Sequence, residues 1–226
     1  MNGRALFEVS ERDIAFLRGE WESLTASYAG ARLKQDALFE SLRKRYSQKG
    51  RFYHNLSHVK ALLALADSVK GAIRGYDEVR FSVWYHDAIY NTRKSDNEEK
   101  SARLAAEELE KLRAPAEAIG RVLDMILATR KHEAANYSED TQIFLDIDLS
   151  ILGAAEVVYQ EYASSIRKEY AWVPAFMYRQ ARKRILNGFL DRPTLFFTKE
   201  MRRRFELVAR KNIERELKEL SAGSTG

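Results

Sequence analysis

The chain has 226 residues, 45% hydrophobic and 31% charged, with a formal net charge of +5. No stretch approaches the roughly 18 to 20 uninterrupted apolar residues of a membrane span, and no basic start followed by an apolar run marks a secretory leader, so a cytoplasmic protein without a membrane partner is expected. Zero cysteines exclude a disulfide framework and thiolate-bound zinc.

Nearly every segment has helical periodicity, and no strand-like alternation stands out. In chain order, the predicted helices run from Ser10 to Tyr28, Gln35 to Gln48, Tyr53 to Ile73, Asp77 to Tyr90, Ser95 to Leu112, Ala114 to His132 and Thr141 to Leu152. Three more follow, from Ala154 to Tyr170, Val173 to Phe189 and Thr198 to Leu220. Ser95 with Glu98 fits a capping box, Pro115 suits a first helical turn, and Gly153 and Pro193 break the chain between helices. The tail Ser221–Gly226 is expected to be disordered. Without repeats or a low-complexity linker, the expectation is one all-α domain over 1–226. Its core would cover about 50–153, with a helical C-terminal extension over 154–220.

The four histidines carry most of the chemical signal. On the Tyr53 helix, His54 and His58 fall on the same face as Ala61, Leu62, Leu65 and Val69, one turn apart. Either alone reads as a core histidine bonded to backbone or carboxylate. The next helix is apolar nearly all round, with Phe81, Val83, Trp84, Tyr85, Ala88 and Ile89, yet it holds His86 and Asp87 in its middle. A buried carboxylate there needs a cation or hydrogen bonds. In the Thr141 helix Asp148 shares a face with Leu145, Leu149 and Leu152, whereas Asp146 lies about 200° away. Asp148 is therefore the expected ligand, with Asp146 a carboxylate behind the ligands. Two imidazoles and two carboxylates suit manganese, iron, zinc, nickel, cobalt or magnesium, as one ion or two.

These residues resemble the HD superfamily of metal-dependent phosphohydrolases. Tyr53-His54-Asn55-Leu56-Ser57-His58 is similar to the Tyr-His-Asn-x-x-His signature of cyclic-nucleotide phosphodiesterases, and Asp148-Leu149-Ser150 resembles their last ligand motif. The chain looks closer still to a group of HD proteins known as predicted metal-dependent phosphohydrolases. That likeness rests on Trp84-Tyr85-His86-Asp87-Ala88, Asp96-Asn97-Glu98-Glu99, Asp146-Ile147-Asp148-Leu149 and Ile166-Arg167-Lys168-Glu169-Tyr170, and it spans roughly residues 35 to 200. Two departures separate the chain from the phosphodiesterases: Tyr90 stands where they have a further histidine, and no purine-clamping glutamine is evident.

The resemblance implies an HD-type helical bundle with His58, His86, Asp87 and Asp148 as metal ligands, Asp87 also at the reacting centre, and His54 as proton donor. The implied reaction is hydrolysis of a phosphomonoester or nucleotide by metal-activated water. His132 and Arg167 are candidates for a second metal or for phosphate, against readings as a helix-end histidine and a structural ion pair. Asp96 and Glu99 read as caps first and as carboxylates behind the ligands second. Arg182 reads as a surface residue, in a basic C-terminal region that also holds Arg202-Arg203-Arg204. Two other functions stay open: a non-catalytic module that binds a nucleotide or metal and signals through a partner, and nucleic-acid binding by the basic helices, the less expected of the two. No Gly-x-x-x-x-Gly-Lys, Gly-x-Gly-x-x-Gly or Gly-x-Ser-x-Gly motif occurs, so phosphate-loop motors, dinucleotide dehydrogenases and serine esterases gain no support.

Overall fold

A computed structural model of the chain describes residues 6–28, 32–131 and 137–222. It is 74% helical, with no strand among the described residues. The all-α expectation therefore holds. No helix among these residues is long and apolar enough to cross a membrane. The structure falls into two compact units, 1–145 and 146–226; the expected inner boundary, at 153/154, lies a few residues later.

The first unit begins with α1 (Glu11–Thr25), set by a capping box in which Ser10 Oγ accepts from Asp13 N while Asp13 accepts from Ser10 N. α2 (Arg32–Tyr46), α3 (Leu56–Ser68) and α4 (Tyr76–Tyr85) follow. Next come α5 (Asn97–Lys111), α6 (Ala116–Ala128) and α7 (Glu139–Leu149), the last crossing the division at 145. α1 packs on α2 and α3, and α4 packs on α3, α5 and α6. Every residue of α4 from Glu78 to Tyr85 is buried; the apolar run from Phe81 predicts this, whereas Glu78, Arg80 and Ser82 are buried with partners, Arg121, Glu20 and the Glu78 carbonyl. Trp21 of α1 meets Phe81, Trp84 and Tyr85 edge-on at centroid distances of 6.1, 5.4 and 6.3 Å. Truncating such a ring costs about 3–5 kcal/mol.

The second unit holds a 3-10 turn, Ser150–Gly153, then α8 (Glu156–Glu169), α9 (Ala175–Leu190) and α10 (Lys199–Ala222). α10 packs on the 3-10 turn and on α9. Gly153 permits the first contact: a Cβ there would lie 2.6 Å from Phe205 Cβ and 2.8 Å from the Phe205 carbonyl oxygen. Asn212 Nδ2 ties α10 to the same turn through the Leu152 and Ala154 carbonyls, both at 2.9 Å.

Several predicted boundaries move. No capping box forms at Ser95 and Glu98. Asp96 takes the cap position without a side-chain cap bond, because α5 begins only at Asn97. Ser221 and Ala222, expected in a disordered tail, belong to α10; the rest of that expected tail, 223–226, lies outside the described residues. Pro115 directly precedes α6, close to its predicted place.

Candidate metal centre

Two turns in the first unit carry the candidate residues. Asn55 caps α3, its Oδ1 accepting from Ser57 N at 2.8 Å, and its Nδ2 donates to the Phe7 and Phe52 carbonyls. The cap halts the helix at Leu56, so His54 stands in the turn before α3 and not on its face as predicted. His58 is buried in the first turn of α3. α4 likewise ends five residues earlier than predicted, which puts His86 at its C-cap and Asp87 in the turn beyond. Both corrections move histidines from helix interiors to helix ends, where unpaired backbone groups are available to orient them.

The C-terminal carbonyls of α4 illustrate this. Tyr85 O accepts from Ala88 N, Trp84 O from the Tyr46 hydroxyl, and Val83 O from His86 Nδ1 at 3.0 Å. A carbonyl can only accept, so His86 Nδ1 carries a proton and donates it to Val83 O, which turns Nε2 towards the other candidate residues. That Nε2 lies 3.2 Å from His58 Nε2 and 3.2 Å from Asp87 Oδ2. His58 Nε2 is 4.0 Å, and His54 Nε2 3.9 Å, from the same carboxylate oxygen. Ligands about 2.1 Å from one small divalent cation stand about 3.0–3.4 Å apart. The His58, His86 and Asp87 atoms fit that spacing closely along two of three edges, and their mixed nitrogen and oxygen character suits a transition metal.

Rings hold these groups in place. Tyr53 sits 4.8 Å from His58 and 5.0 Å from His54, and Phe144 of α7 meets His86 edge-on at 5.9 Å. Tyr90 stacks on His54 at 4.3 Å.

The remaining predicted residues have varied surroundings. Asp148 lies in the last turn of α7, one turn beyond Phe144 and on the same face. Asp146 is fully buried, not turned away from the core. It accepts from Phe197 N, Thr198 N and Thr198 Oγ1 at 2.7, 2.8 and 2.7 Å, just ahead of α10. Burial pushes its carboxyl up to about 6 against the pull of those three donors. Asp96 pairs with Lys100 at 2.9 Å and Glu99 pairs with Arg130. Arg167 donates to the Tyr170 and Val173 carbonyls at 2.7 and 3.0 Å and lies over the Tyr178 ring, closing the turn after α8. His132 lies outside the described residues. Arg182 is not on the surface: it is buried and forms a bidentate pair with Glu216.

Arg51 escaped the sequence reading. It is buried, and its guanidinium bonds carbonyls in both turns of the candidate site. The only sequence signal was its place three residues before His54, which a basic residue in a polar stretch does not advertise. Compared with protein-family models, with curated proteins and with solved structures, the chain matches none.

Proposed function

We propose that this chain is a metal-dependent phosphohydrolase, with a divalent cation held by His58, His86, Asp87 and Asp148 and with His54 as proton donor. The observation that carries this reading is the meeting of His58 Nε2, His86 Nε2 and Asp87 Oδ2 at 3.2, 3.2 and 4.0 Å, with His54 Nε2 3.9 Å from the same carboxylate. The resemblance to the HD superfamily in the residues around these groups supports it. Asp148 enters as the fourth ligand from its helix face and that resemblance.

Bound there, a cation such as manganese, iron, zinc, nickel, cobalt or magnesium lowers the pKa of coordinated water from about 16 towards about 7 and polarises a phosphoryl oxygen. The chain's own groups supply the rest. Val83 O fixes the His86 tautomer, so Nε2 faces the site without a rotation. Asp87 contributes negative charge within reach of three imidazoles. His54 is partly open to solvent and braced by Tyr90. Protonated, it pairs with Asp87 and can pass its proton to a departing oxygen. The substrate class that fits is a small phosphomonoester or nucleotide.

The test is phosphate release from a broad panel of such compounds, using protein stripped of metal and then given Mn²⁺. Asp87→Ala should abolish release and weaken Mn²⁺ binding. His54→Gln should keep Mn²⁺ binding and lower kcat by about 10²–10⁴-fold. Full release by Asp87→Ala would refute the site. Tight Mn²⁺ binding with no product from any compound would favour the non-catalytic module.

A further inference from the structure

We propose that Arg51 is a positioning residue for this metal centre, holding the His54 turn and the His86–Asp87 turn in register. The proposal rests on the metal-centre reading above. Gly50, at φ 96°, turns the chain just before Arg51, a backbone conformation that favours glycine. The guanidinium then enters a buried position between the two turns. Nη1 donates to the His54 carbonyl at 3.0 Å and to the Asp87 carbonyl at 2.7 Å, while Nη2 donates to the Ala88 carbonyl at 3.1 Å. One planar group therefore grips the backbone of the proton donor and the backbone of a ligand.

Aromatic rings hold that group in turn. The guanidinium carbon lies 5.1 Å from the Tyr46 ring and 5.4 Å from the Tyr90 ring, and Tyr90 is the ring stacked on His54. Tyr46 is itself anchored by its hydroxyl on Trp84 O, in the last turn of α4. Arg51 thus links the end of α4 to the start of α3 at the level of the site. A lysine keeps the charge but offers a single nitrogen on a flexible stem, and it does not reproduce a fork directed at two turns. Loss of the fork lets Asp87 and His54 drift, and metal sites are sensitive to such shifts.

The experiment titrates Co²⁺ into the metal-free full chain and follows its visible ligand-field bands, for the parent, Arg51→Lys and Leu24→Ala. Leu24 is buried on α1, so its truncation lowers the thermal midpoint and leaves Co²⁺ affinity and spectrum unaltered, which removes general destabilisation as a cause. Arg51→Lys should bind Co²⁺ about 10–100-fold more weakly, the usual loss when a group orienting a ligand is removed, with shifted bands at saturation. Should the lysine variant fail to fold, Arg51→Gln, which is neutral and retains a donor amide, should show the same loss. Parent-like affinity and spectrum in the folded Arg51 variant would overturn the positioning role while leaving the metal centre intact. If the parent takes up no Co²⁺, the metal reading falls and the role of Arg51 falls with it.

Discussion

Replacing Arg182 by methionine removes a cation from the interior of the second unit and leaves its partner behind. Arg182 Nε and Nη2 donate to Glu216 Oε1 and Oε2 at 2.7 and 3.0 Å, between side chains only 8% and 7% exposed. The Tyr159 hydroxyl donates to Glu216 Oε2 at 2.5 Å, and burial beside that carboxylate pushes the phenol well up and keeps it neutral. Without Arg182 the carboxylate keeps one short hydrogen bond and no counter-charge. Breaking a buried pair in this way costs about 3–5 kcal/mol. Removing the charge altogether should cost far less: Arg182→Met with Glu216→Leu and Tyr159→Phe leaves no unpaired polar group from this trio and should fall within about 2 kcal/mol of the parent. Urea unfolding followed by far-ultraviolet circular dichroism reads both numbers. A loss below about 1 kcal/mol in the single variant, as an exposed cation gives, would refute the assignment of Arg182 to the core. A triple variant as unstable as the single one would show that the loss reflects packing and not the stranded charge.

Two further outcomes follow from local geometry. The Lys60 ammonium and the Ser10 cap hold the Asp13 carboxyl well below its usual range. A depressed carboxyl contributes stability above its unfolded value near 3.8 and loses it as the pH falls further. The urea midpoint of Asp13→Asn should therefore drop less than that of the parent between pH 6 and pH 3, and parallel curves would contradict the pairing. Gly153→Ala should cost about 1–3 kcal/mol by overpacking, because the new methyl would strike Phe205 Cβ and the Phe205 carbonyl oxygen. An unchanged unfolding midpoint would show that the 3-10 turn can move away from α10.

The helical class was legible because hydrophobic periodicity reports which face of a segment is buried. The same signal predicted α4 as a central helix, and it is buried from Glu78 onwards. It could not say where α3 begins. Asn55 decides that by a bond two residues ahead, so His54 left the helix while remaining 3.9 Å from Asp87. The grouping of His58, His86 and Asp87 survives because histidines and an acid in apolar segments mark a polar site whichever turn carries them. Arg182 was misread because a charged side chain is solvated or buried according to its long-range partner, and that partner, Glu216, lies 34 positions away. Arg51 was invisible for a related cause, since its partners are main-chain carbonyls that have no letter in the sequence.

His86 has an orienting partner of the same kind. Because the acceptor at Nδ1 is the Val83 main-chain oxygen, no substitution that exchanges one side chain for another removes that oxygen. The proton on this imidazole is assigned by the end of a helix, so it endures mutational drift for as long as α4 stops where it does. Conversely, an insertion or a proline that extends or unwinds the last turn of α4 would reach the candidate metal centre without altering any of its proposed ligands.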